Sequence, residues 1–312
     1  MRAAVLHAHG AVPEVGEFRD PVASAGAVVL DVLAGALNPV DVRIASGAYP
    51  LERFEPPYVA GKEGVGRRED GSLVYFDMRV PPYGSFAERT LISDDHGYPV
   101  PSGLDPALAV CLGVSGLAAW LGLEWRGRLA AGETVLVLGA SGVVGLIAVQ
   151  AARLLGAGRV VAAARDEEAL SRAGALGADE LVPLGGEELT TALVSASGGD
   201  GYDLVLDPLW GEPAVAALGA LKPFGRHVQL GQSAGAEVGV PSAAIRNKPI
   251  DLIGHTNFAA SEERKAAAYE RMAAHALAGE LRVPIERLGL DDVPDAWARV
   301  GASPHAKLVV VP

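Results

Sequence analysis

The segment GASGVVG occupies residues 139–145, after TVLVL (134–138) and before LIAVQAARLL (146–155). Gly139, Gly142 and Gly145 therefore recur three apart where an apolar strand becomes an apolar helix. A strand that ends at the carboxyl edge of a parallel sheet needs a tight turn, and glycine takes the backbone angles of such turns. A second glycine lets a pyrophosphate approach the backbone, and a third lets the helix pack closely on the strand. The free N–H groups and the dipole at the helix start then hold the anion. The spacing is G-x-x-G-x-x-G and not the strict dinucleotide fingerprint, so the strand, loop, helix and second strand together carry the reading. Gly139, Ser141, Gly142, Val143, Val144 and Gly145 are the candidate contacts to a dinucleotide.

Outward from this loop the chain keeps a regular beat. RVVAAA, ELVPL, YDLVLD and GRHVQLG read as apolar strands, and PIDLIGH as a sixth. Helices are predicted over 143–155, in DEEALSRAGAL, near 187–196 and in EPAVAALGAL. Strands that are apolar throughout, alternating with helices, imply a parallel sheet covered on both faces. PALAVCLGVSGLAAWLGLEW precedes the beat and reads as one helix, with Asp105 as its cap and Pro106 at its first position. Residues 1–107 are rich in short strands and turns, including AVVLDVLAGAL, SLVYFDMRV and SFAERTLI. SEERKAAAYERMAAHALAGE reads as an amphipathic helix capped by Ser261. The final strand, AKLVVVP, needs a partner sheet and is expected to return to the first unit. The expected fold is α/β: a doubly wound parallel sheet over 108–250, inserted in a β-rich unit made of 1–107 and 251–312.

Composition narrows the function classes. The chain has 312 residues, room for two cores. A net charge of −12 disfavours nucleic-acid binding. Cys111 is the only cysteine, so an internal disulfide and a multi-cysteine zinc lobe are both excluded. The seven histidines show no ligand spacing. The start lacks a long apolar run, and Gly139, Ser141 and Gly142 break the apolar stretch 134–155 into pieces too short for a membrane. A soluble, cytoplasmic protein is expected.

The end of the second strand selects the cofactor. Users of NAD place an acid there to bind the ribose 2′-hydroxyl. Here Ala164 ends the strand, Arg165 follows, and Asp166 reads as a helix cap. A guanidinium in place of the acid suits a 2′-phosphate and favours NADPH. The competing reading leaves Arg165 as a surface arginine and gives the ribose to Asp166.

Several ordered stretches carry a family resemblance: ALNPVDVRIASGAYP, PYVAGKEGVG, GSFAERTLI, GVSGLAAWLGL, LAAGETVLVLGASGVVGLIAVQAARLLGA, GALGADELV, YDLVLDPLWG, GRHVQLG and HAKLVVVP. Over nearly its whole length the chain resembles the medium-chain dehydrogenase/reductase superfamily, in its zinc-free quinone oxidoreductase branch. The resemblance implies a GroES-like substrate domain built from both chain ends, a Rossmann domain between them, a cofactor in the cleft between the two and a homodimer. Zinc-dependent members use a Cys and the His of Gly-His-Glu; here Asn38 and Lys62 stand at those places. An amide and an ammonium cannot form that site, so no metal is expected.

Without a Lewis acid, hydride needs an acceptor that is already electron-poor, such as a quinone or an α,β-unsaturated carbonyl. By family position Tyr49 lines the active site and is the candidate proton donor. Lys62 and Asn38 complete the catalytic candidates. Arg43 departs from the aromatic often found at its place and favours an acidic or polar substrate. Also by family position, Ser115, Asp207, Gly231 and Gln232 join Ala164 and Arg165 as cofactor contacts. The expected activity is NADPH-dependent, zinc-independent reduction of a quinone or activated alkene. The alternatives are an enoyl-thioester or natural-product tailoring reductase, and a non-catalytic NADPH sensor.

Overall fold

The computed structural model describes residues 1–49, 52–186 and 188–312. Pro50, which closes the ASGAYP motif, and Glu187, at the head of the helix expected near 187–196, lie outside the described residues. The chain divides into two compact units. One comprises Met1–Val114, Tyr269–Gly279 and Val283–Pro312; the other comprises Ser115–Ala268 and Glu280–Arg282.

The second unit is built on a six-stranded parallel sheet. Across it run Glu180–Pro183, Arg159–Ala164, Thr134–Leu138, Tyr202–Asp207, Leu221–Gln229 and Asp251–Gly254. Every pairing is parallel, with Leu138 beside Ala163 and Val137 beside Leu206. Val135, Leu136, Val137 and Leu138 are all fully buried, so both faces of the sheet are covered. Leu136, Leu138, Val161, Val205 and Leu218 share one core cluster.

Two boundaries differ from the sequence expectation. Asp251–Gly254 pairs with Leu221–Gln229, so the parallel sheet continues past residue 250. The strand at Leu221–Gln229 also starts earlier than GRHVQLG. Its register against Tyr202–Asp207 shifts between Tyr202 and Leu204, where Phe224 takes φ +64°. Pro223 beside that bend hides the strand from a periodicity reading.

The first unit holds a seven-stranded sheet and a three-stranded one. Ala27–Ala36 pairs with Glu63–Arg67 and Arg89–Ser93. The final strand, Lys307–Val310, pairs antiparallel with Ala27–Ala36, so the tail does return to this unit. Leu6, Leu37, Phe86, Trp297 and Leu308 lie in its main core.

The helix expected from Pro106 is present but broken. Asp105 caps it, accepting from Ala107 N at 3.1 Å. At Gly113 the backbone leaves helical angles (ψ −114°). A β-carbon there would stand 2.1 Å from the Tyr75 ring, so the ring and the kink occupy space that only glycine leaves. The run Pro106–Arg126 is long and apolar enough to cross a membrane by length and composition, but 78% of its most apolar window is buried in the fold.

Candidate active site

The glycine turn divides its labour as its spacing implies. Gly139 sits at φ +62°, in the left-handed region. Gly145 is the point of close packing: a β-carbon there would lie 2.4 Å from the Gly139 carbonyl oxygen. Gly142 is the open position, since a β-carbon there meets only that same oxygen, at 3.5 Å. Gly142 is also the N-cap of the helix Val143–Leu154, which has no side-chain cap. The first-turn amides, those of Val143, Val144 and Gly145, thus face no capping oxygen, and the helix dipole adds its positive end. Ser141 is half-buried beside them. Such a cradle fits a diphosphate.

Neighbouring strand ends gather around this turn. Ala140 N donates to Ala163 O at 3.1 Å, which fixes the turn against the strand ending at Ala164. Ala164 is buried and Arg165 exposed, with no ion pair or hydrogen bond from the Arg165 side chain among the described residues. Asp166 is a helix cap, accepting from Ala169 N at 2.8 Å. Asp207 is fully buried and its carboxylate is engaged: Oδ1 accepts from Leu209 N and Trp210 N at 2.7 and 2.9 Å, and Oδ2 pairs with His227 Nε2 at 2.9 Å. It shapes the turn after its strand. Gly231 packs against Pro208, and Gln232 is exposed at the same carboxyl edge. Ser115 is buried in the helical segment Leu112–Gly116.

In the first unit, Lys62 is held by a carboxylate that sequence reasoning missed. Lys62 Nζ donates to Glu52 Oε2 at 3.0 Å and to Asp77 O at 3.1 Å. Arg79 donates to the other Glu52 oxygen at 2.7 Å. Glu52 is thus a nearly buried bridge between two buried cations. Tyr49 is half-buried with the Arg43 guanidinium 5.1 Å from its ring centre. Burial raises its pKa above the ordinary phenol range; Arg43 opposes the rise and Glu52 adds to it. It therefore stays a neutral O–H donor at physiological pH. Asp77 completes the cluster by pairing with His96 Nε2 at 3.0 Å.

Asn38 belongs to a second, deeper network around Glu63. Its Nδ2 donates to Ala36 O at 3.1 Å and to Glu63 Oε1 at 2.8 Å, and its Oδ1 accepts from Lys307 Nζ. Glu63 also accepts from Tyr75 OH at 2.8 Å and from Val114 N at 2.7 Å, the amide released by the kink at Gly113. Both amide hydrogens of Asn38 are therefore in use inside the fold. Lys307 and Tyr75 escaped the sequence reading because their roles depend on partners far away in the chain. Asp41 ties the two networks: its oxygens accept from Asn38 N at 2.8 Å and Lys62 N at 2.7 Å. Burial pushes its pKa up to about 6, against the lowering by those hydrogen bonds and by Arg79.

Among the described residues, no three His, Cys, Asp or Glu side chains gather as a metal-ligand set. Cys111 is buried, donates to Ala107 O at 3.0 Å, and has its thiol pKa pushed up to about 12 by burial. It is not a nucleophile at neutral pH.

Comparison with known proteins places this geometry. A family model described as zinc-binding dehydrogenase matches residues 143–274. The quinone oxidoreductase of Homo sapiens is 30% identical over 264 residues, 80% of this chain and 79% of that protein. This chain belongs to the quinone oxidoreductase branch of the medium-chain dehydrogenase/reductase superfamily. The quinone oxidoreductase of Thermus thermophilus, solved alone and in complex with NADPH, matches with a TM-score of 0.82 and 33% identity over 100% of both chains. One polypeptide of the phenolphthiocerol/phthiocerol polyketide synthase of Mycobacterium tuberculosis is 30% identical over 301 residues, 91% of this chain but only 13% of that polypeptide. As a member of this branch the chain is an oxidoreductase with a nicotinamide cofactor.

Proposed function

We propose that this protein is an NADPH-dependent, zinc-independent reductase that delivers hydride to a quinone or an activated alkene. The observation that carries the reading is the glycine turn: a helix start without a side-chain cap, open at Gly142 and tight at Gly145. Arg165, exposed and unpaired among the described residues, supports NADPH over NADH as the holder of a 2′-phosphate. Lys62 supports zinc independence, because its buried ammonium is paired with Glu52 where a zinc ligand would stand in metal-dependent relatives.

When bound, NADPH supplies the hydride. The chain's part is to position the acceptor and manage one proton. Tyr49 is the group we assign to donate a hydrogen bond to the acceptor oxygen and to deliver the proton. Lys62 and Asn38 act through Glu52 and Glu63, holding the strand and helix around Tyr49. We further place the protein in the cytoplasm as a homodimer.

A second reading has a specific observation behind it. The likeness to the polyketide synthase extends over 91% of this chain, which favours an enoyl-thioester or natural-product tailoring reductase. One experiment separates the readings. Mix protein and NADPH with quinones, enones and enoyl thioesters, and follow loss of the reduced nicotinamide absorbance. Turnover of quinones or enones supports the first reading, and turnover of thioesters alone the second. Binding of NADPH without oxidation across the panel makes the protein a sensor. In the same assay Arg165→Ala is expected to lower NADPH affinity about tenfold and leave NADH unchanged.

A further inference from the structure

Acidic residues outnumber basic ones 38 to 26 in this chain, so an arginine without a carboxylate partner stands out. Arg43 is such a residue. It is exposed, and its side chain makes no ion pair or hydrogen bond among the described residues. It lies instead against Tyr49, with the guanidinium carbon 5.1 Å from the centre of the ring.

The charges nearby leave Arg43 as a surplus. Glu52 is the carboxylate that acts on the Tyr49 phenol alongside Arg43. Its two oxygens already accept from other cations, Oε2 from Lys62 Nζ at 3.0 Å and Oε1 from Arg79 at 2.7 Å. Both of those side chains are nearly buried, so Glu52 is committed to them. The other acids of the cluster are engaged too: Asp77 pairs with His96, and Asp41 accepts from the amides of Asn38 and Lys62. Three cations, Arg43, Lys62 and Arg79, thus stand against the single carboxylate of Glu52.

This arrangement suits an anion. A guanidinium lying against a ring has given up part of its rotamer freedom, and its N–H groups form a fork that matches a planar carboxylate. The Tyr49 hydroxyl belongs to the same ring. A ligand whose carbonyl oxygen meets that hydroxyl can therefore bring a carboxylate to Arg43.

We propose that Arg43 is a specificity-determining residue and that the acceptor carries a carboxylate, as a quinone acid or an enone acid does. The inference rests on the reading of the chain as a reductase in which Tyr49 meets the acceptor oxygen.

The test compares 1,4-naphthoquinone-2-carboxylate with its methyl ester. Both are offered as acceptors with NADPH, and both are titrated calorimetrically without cofactor. The proteins are the wild type, Arg43→Gln and Arg43→Lys, and melting temperature checks that each is folded. The readout is the acid-to-ester ratio of kcat/KM, because any effect of Arg43 on the acidity of Tyr49 is common to both acceptors and cancels. In Arg43→Gln the ratio is expected to fall about tenfold, through a raised KM for the acid, and Arg43→Lys should recover most of it. An equal ratio in wild type and Arg43→Gln overturns the proposal. If the wild type oxidises NADPH with neither compound, the reductase reading fails, and the titrations then decide Arg43. Acid bound about tenfold more tightly by the wild type than by Arg43→Gln supports the carboxylate site. Equal binding of the acid by the two proteins, or none, removes it.

Discussion

Gly145 lies so close to Gly139 that a β-carbon on Gly145 would come within 2.4 Å of the Gly139 carbonyl oxygen. The atoms in the way are backbone, so they cannot rotate aside. Gly145→Ala is expected to destabilise the protein by about 1–3 kcal/mol, the usual cost of overpacking, and to weaken NADPH binding by distorting the turn. Urea unfolding and a cofactor titration on the same sample check both effects.

Glu63 is a fully buried carboxylate with four donors: Asn38, Lys307, Tyr75 and Val114 N. Glu63→Gln turns an acceptor into a donor and leaves the Lys307 ammonium buried without its counter-charge. Removing one partner of a buried pair typically costs about 3–5 kcal/mol. The double variant Glu63→Gln/Lys307→Met is expected to be more stable than the single one, since it removes the stranded charge. Equal or lower stability of the double variant in urea contradicts this account of the network.

Asp41 makes stability depend on pH. Burial raises its pKa from 3.8 to about 6 in the fold, with Arg79 and Glu63 as the charged groups acting on it. The unfolded chain loses this proton near pH 4, and the folded chain keeps it until about pH 6. The contribution is therefore full below the unfolded value and is lost as pH rises through the folded one. The change across that window is on the order of 3 kcal/mol. Asp41→Asn removes this component, so the stability difference between wild type and variant should vary between pH 4 and 6 and level off above. A difference that stays constant across the window removes the assignment.

Tyr49→Phe tests the proton donor. The hydroxyl is kept protonated by burial, and its ring packs with Arg43. The variant keeps the ring and loses only the O–H. Turnover is expected to fall about 100-fold, with NADPH affinity unchanged. Unchanged turnover makes Tyr49 a wall of the site and gives the proton to water.

The parallel sheet was legible because its strands are apolar throughout and most are bounded by glycine or a helix cap. Asp166 and Asp105 could be read as caps because a cap acts within three residues of itself. The break at Gly113 was not legible, since it depends on Tyr75 from another strand. Glu52 and Glu63 were hidden for the same reason. In sequence each reads as an ordinary surface acid. Their partners Lys62, Arg79, Asn38 and Lys307 stand 10, 27, 25 and 244 positions away. Lys62 was singled out by position in the motif. The fold pairs Lys62 with Glu52.

The central claim is that the turn at 139–145 holds the diphosphate of a nicotinamide dinucleotide on uncapped amides. Gly142→Asp tests it most directly. Gly142 has φ −89° and ψ 165°, ordinary for an N-cap residue, and space for a side chain. Aspartate there should cap the helix, preserving or raising stability, while its carboxylate takes the amides and repels the phosphates. In calorimetric titration the account predicts NADPH binding to the wild type, weakened at least ~100-fold in a variant that melts no lower. Equal NADPH affinity in the two proteins, or no uptake of either NADPH or NADH by the wild type, would contradict it.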